Sequence, residues 1–66
     1  MKFRKAIQNL FDNFTSENDR WEWASALAYD IDLNWESVAE EINVCPEDEE
    51  IGEFKKDCIE IAKKYC

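Results

Sequence analysis

The chain has 66 residues, enough for one small domain spanning 1–66. It carries 16 acids against 8 bases and no His, for a formal net charge of −8. Apolar residues make up 45% and aromatics 14%, with one Gly and one Pro, which excludes a disordered acidic tail and argues against a turn-rich all-β fold. No run approaches the roughly 18 apolar residues of a membrane span.

Periodicity predicts four helices. The first runs from about Lys2 to Phe14, with Phe3, Ala6, Ile7, Leu10, Phe11 and Phe14 on one face. Ser16 and Asp19 form an imperfect capping box for the second, Glu17 to Tyr29. Its apolar residues Trp21, Trp23, Ala24, Leu27, Ala28 and Ile31 span a wide arc, so it packs on more than one neighbour or turns a Trp toward a partner. Asn34 is a good N-cap for a short third helix, about Trp35 to Asn43, with Trp35, Val38, Ala39 and Ile42 as its stripe. Asn43 suits a left-handed closing position, and Pro46 blocks simple continuation. Pro46 also suits the first turn of a fourth helix, where Glu47, Asp48, Glu49 and Glu50 favour the positive end. Ile51, Phe54, Cys58, Ile61, Ala62 and Tyr65 make its apolar face. The expected fold is all-α, a compact bundle of three longer helices and one short one.

A domain this size buries only roughly 60% of its unfolded surface. Large aromatic rings compensate, as would dimerisation. The opening Met1-Lys2-Phe3-Arg4-Lys5 is not followed by an apolar h-region, so the expectation is a cytoplasmic chain without a signal peptide. Cys45, Cys58 and Cys66 are then expected to remain thiols. Without His or a paired C-x₂₋₄-C spacing they make a poor zinc set, and neither metal nor cofactor is expected.

The charge is uneven. Residues 17–53 hold thirteen acids and only Arg20, while both ends are mildly basic. Glu50, Glu53, Asp57 and Glu60 are spaced to form one stripe on the fourth helix, and Glu36 and Glu40 stack on the third with Glu41 on its other flank. Glu36–Glu40, Glu49–Glu53 and Glu53–Asp57 read as like-charge i,i+4 pairs, each costing roughly 0.2–0.5 kcal/mol. A solvated face selected for solubility can avoid that cost by interleaving Lys, as happens around Glu60 with Lys56 and Lys64. Concentrated acid in the middle of the chain therefore points to a basic protein surface as partner, and away from direct binding of nucleic acid or anionic membrane. Glu36, Glu40, Glu41, Glu49, Glu50, Glu53 and Asp57 are the candidate partner-binding residues, with Trp23 and Tyr29 as aromatic anchors for cations.

Other motifs fare less well. Asp30, Asp32, Asn34, Glu36 and Glu41 match EF-hand ligand positions, but Trp35 occupies the position that needs Gly. Leu33 through Pro46 resembles the first half of a helix-turn-helix, yet the helix that should enter the groove opens Glu47-Asp48-Glu49-Glu50 and would repel phosphates. There is no His, no phosphate-binding Gly loop and no G-x-S-x-G, so no enzyme is expected.

In length, acidity and helical content the whole chain resembles small phage-encoded inhibitors, including anti-CRISPR and anti-restriction proteins that mimic DNA. The likeness is to the class, without a signature motif. It implies an inhibitor that occupies the nucleic-acid-binding surface of a host effector, its carboxylates standing in for phosphates. Two alternatives stay open. One is an immunity protein or antitoxin that neutralises a cationic nuclease; the other is a small structural or homodimeric subunit.

Overall fold

The computed structural model describes residues 3–66 and contains helices α1 (Arg4–Asp12), α2 (Glu17–Tyr29), α3 (Ile31–Glu41) and α4 (Ile51–Ala62). A 3₁₀ turn, Asp48–Glu50, leads directly into α4. No strand occurs among the described residues, so the all-α expectation holds. The radius of gyration is 10.7 Å, matching the roughly 11 Å of a folded chain this long.

Helix α4 is the centre of the bundle and packs against α1, α2 and α3. Its Phe54, Cys58, Ile61 and Ala62 are buried, as the period predicts. Helix α1 and its N-cap residue contribute Ile7, Phe11 and Phe3 at i,i+4 steps. Phe3 meets Phe54 edge-on at 5.1 Å between ring centres, and Phe11 stacks on Tyr65 at 5.1 Å. Such pairs add roughly 0.5–1.5 kcal/mol each beyond burial. The helix is shorter than expected: Asn13 caps it, Phe14 lies past its end, and Lys2 lies outside the described residues.

The boundaries of α2 are those expected. Ser16 Oγ accepts the Asp19 N–H at 3.3 Å, as an N-cap should. A single residue, Asp30, separates α2 from α3. The third helix therefore begins at Ile31 rather than Trp35, and Asn34 is not its cap. Asn34 instead donates its side-chain amide to the carbonyls of Asp30 at 2.7 Å and Ala26 at 3.3 Å. It thus adds a side-chain donor to two carbonyls at the α2–α3 junction that already accept the Asp30 N–H at 2.9 Å and the Leu33 N–H at 3.2 Å. The EF-hand-like stretch is helical from Ile31 to Glu41, so the irregular calcium loop does not form.

The end of α3 is a Schellman motif. Asn43 takes the left-handed conformation (φ 56°), as expected. The Val44 N–H donates to the Ala39 carbonyl at 2.9 Å, and the Asn43 N–H to that of Glu40 at 3.2 Å. Glu47 to Glu50 do not form the first α-turn of the fourth helix. Asp48–Glu50 is 3₁₀, and the Glu50 carboxylate folds back to accept the Glu47 N–H at 3.0 Å. Among the described residues no helix is long and apolar enough to cross a membrane.

Candidate functional site

The expected acidic residues separate into two groups. Glu36, Glu40 and Glu41 are exposed on α3, and Glu47, Asp48 and Glu49 are exposed just beyond the Schellman turn. Among the described residues, Glu36, Glu40, Glu41, Asp48 and Glu49 enter no ion pair. Glu36 and Glu40 lie one helical turn apart, roughly 6 Å along the axis. Glu40 and Glu41 also fall in the last turn of α3, which holds no basic residue. Anions there face the negative end of the helix dipole, where roughly 0.3–1 kcal/mol favours cations instead.

The stripe expected on α4 is corrected. Asp57 is 2% exposed and belongs to the buried face. At 100° per residue it lies about 60° from Phe54 and about 40° from Ile61, so α-helical geometry puts it beside the core. Glu50 is half-buried and bound to the 3₁₀ turn. Glu53 is exposed, but like Glu50 and Asp57 it already has an interaction within the protein. Glu60 pairs with Arg4. No buried side-chain nitrogen or oxygen among the described residues lacks a hydrogen-bond partner. The like-charge pairs shrink accordingly. Glu49 belongs to the 3₁₀ turn rather than to the helix of Glu53, and Asp57 points inward. Glu36–Glu40 remains as a pair of exposed like charges on one helix.

The cations lie elsewhere. Arg20, the lone base of the acidic segment, donates to the Phe14 carbonyl at 3.2 Å and sits 5.7 Å from the centre of the Tyr65 ring. Lys55 pairs with Asp32 at 3.0 Å, and Lys64 donates to Gln8 at 3.0 Å. None of these three reaches the acids at the C-terminal end of α3.

The Schellman motif adds shape to charge. It returns Val44 beside Ala39, and a cleft of about 240 Å³ opens between α3 and the following segment. Trp35, Ala39, Val44 and Pro46 supply apolar lining, with Glu36, Glu40 and Cys45 also at its wall. Trp35 is half-buried and fixed by an edge contact to Phe54 at 6.2 Å. Sequence reasoning placed Trp35 on the apolar stripe of the third helix, where it does pack against the core, but missed the cleft. Its signal was the left-handed Asn43 followed by an apolar residue, the signature of a Schellman contact.

The two expected aromatic anchors do not join this cleft. Trp23 is half-buried against Phe14, 5.6 Å between ring centres, and lines a separate groove between α2 and α3 with Glu22, Ala26, Leu27, Asn34 and Ser37. Tyr29 is 81% exposed at the end of α2. Trp21 and Leu33 are further exposed apolar residues, at 55% and 77%. Cys45 and Cys66 are exposed free thiols, and Cys58 is buried. Burial, followed by the adjacent Asp57 carboxylate, pushes the Cys58 thiol up to about 12. It is therefore a protonated core thiol rather than a nucleophile.

The chain has no match among known protein families, curated proteins or solved structures.

Proposed function

We propose that this protein is an acidic inhibitor that occupies a basic, nucleic-acid-binding surface of a target protein. The observation that carries this reading is the run of exposed carboxylates from Glu36 to Glu49, left without internal cations although Arg20, Lys55 and Lys64 are engaged elsewhere. A helix end that carries Glu40 and Glu41 gains nothing in stability from them. A positively charged partner would turn that cost into attraction and fast encounter. Carboxylates one helical turn apart form a row that can replace phosphates, and the same field repels nucleic acid itself.

The test uses wild-type protein and the charge reversal Glu36→Lys/Glu40→Lys/Glu49→Lys as bait in bacterial lysate. Wild type should retain basic proteins whose elution tracks rising salt, and added duplex DNA should compete with it for them. The reversed variant should stay helical and retain none of them. Equal retention by both baits, or targets that hold DNA and bait together, refutes the reading.

A second reading, a homodimeric interaction subunit, is favoured by the exposed Tyr29, Leu33 and Trp21. Light scattering across a concentration series separates the two, since the inhibitor alone should stay monomeric.

A further inference from the structure

We infer that the cleft between α3 and the Val44–Pro46 segment seats a single apolar side chain from a basic segment of the partner protein, with flanking Lys or Arg side chains meeting Glu36 and Glu40. This deepens the proposed function and rests on it, because it names which part of the acidic face is the anchor point.

Size restricts the occupant. The cleft measures about 240 Å³, and a second opening of about 350 Å³ shares its Ala39, Glu40, Val44 and Cys45 edge. It has room for one large side chain. Its lining of Trp35, Ala39, Val44 and Pro46 offers that side chain an apolar wall, and the lining is held in place from behind. Phe54 packs edge-on to Trp35, and the Ala39–Val44 bond of the Schellman motif fixes the opposite side. A preformed seat loses little entropy on binding.

Charge selects the neighbours of that side chain. Glu36 and Glu40 stand at the wall of the cleft, and the exposed Glu41, Glu47, Asp48 and Glu49 on the same stretch of chain add to the negative charge there. An apolar anchor between cations matches both features, whereas an acidic or neutral segment matches only the floor. The groove beside Trp23 is less suited. It has one carboxylate, Glu22, and the Asn34 amide in its wall already serves two carbonyls.

The probes are a short lysine-rich helical peptide with one central leucine, and the same peptide with serine in that place. Both should bind at low salt, and both should weaken in Glu36→Gln/Glu40→Gln. The leucine peptide should bind roughly tenfold more tightly, the value of burying much of one leucine. Its backbone amide shifts should centre on residues 35–46. The cleft can be plugged without redesigning the core. In Cys66→Ser, N-phenylmaleimide reaches the exposed Cys45, while Cys58 is shielded by burial. Plugged protein should bind both peptides equally. Equal affinity before plugging, or a leucine advantage that survives it, overturns the cleft as the seat and leaves the acidic surface standing. If neither peptide binds at low salt, the acidic-surface reading falls as well.

Discussion

Lys55 Nζ lies 3.0 Å from the Asp32 carboxylate, tying α4 to the first turn of α3. The same ammonium sits 5.9 Å from the centre of the Trp35 ring, three residues further along α3. One cation thus serves two partners at the start of α3 and none at its end. Asp32 is highly exposed, so the ion pair itself is worth at most about 1 kcal/mol. Asp32→Asn should therefore cost less than about 1 kcal/mol in urea unfolding. Lys55→Ala should cost more than Asp32→Asn, because it also removes the contact with the indole. Equal costs would show that the ring contact contributes nothing.

Glu40 and Asp57 should respond in opposite directions to loss of charge. Glu40→Gln relieves repulsion from Glu36 and an unfavourable position at the negative helix end. It should raise stability by about 0.5 kcal/mol. Asp57→Asn alters a buried carboxylate that already has an interaction within the protein and should lower it by about 1–3 kcal/mol. Urea midpoints at neutral pH decide both. A destabilised Glu40→Gln would make Glu40 a structural acid and remove it from the proposed surface.

That contrast marks the limit of what the sequence alone conveys. The bounds of the second helix were legible, since Ser16 supplies a cap, but Ile31, read with its apolar arc, opens α3 instead. The buried face of α4 was legible from Phe54, Cys58 and Ile61. Asp57 was misplaced because a stripe of acids was read without the angle each makes with Phe54 and Ile61. Asn34 misled for another reason. Asn is a good cap, but its amide can equally serve the carbonyls of a preceding helix, and only the one-residue junction at Asp30 decides between them. At the candidate site, Glu36, Glu40 and Glu49 were legible as charges. The cleft was not, because it depends on where Val44 and Pro46 return after the left-handed Asn43. That return is set by the two backbone hydrogen bonds of the Schellman motif, whereas the wall it meets, Trp35 held against Phe54, is a tertiary fact.

Gly52 supplies a test of the start of α4. It lies within α4, is exposed, and has no neighbouring atom within 4 Å of the position a Cβ would take. Its φ is not positive, so nothing in the backbone requires glycine. Gly52→Ala should stabilise the protein by about 0.5–1 kcal/mol through lower unfolded-state entropy and better helix propensity. Thermal unfolding followed by circular dichroism measures this. Partner retention should be unchanged, since the proposed contact surface lies on α3 and the 3₁₀ turn. A loss of retention in Gly52→Ala would move the contact surface onto α4.

Cys58 links the core to alkaline stability. In the folded protein its thiol is raised to about 12, first by burial and then by the neighbouring Asp57 carboxylate, whereas the ordinary value is 9.0. Below 9.0 the thiol is protonated in folded and unfolded chains alike, so its contribution to stability is fully present and flat with pH. Between about 9 and about 12 the unfolded chain releases this proton while the folded chain retains it. Stability should therefore fall as pH rises through that window. Cys58→Ala should show a shallower decline over the same range, which isolates the contribution of this thiol. A thiol reagent at neutral pH should modify Cys45 and Cys66 rapidly and reach Cys58 only through unfolding. Parallel alkaline declines in wild type and Cys58→Ala, or prompt modification of all three thiols, would show that Cys58 is neither sealed from water nor held protonated by the core.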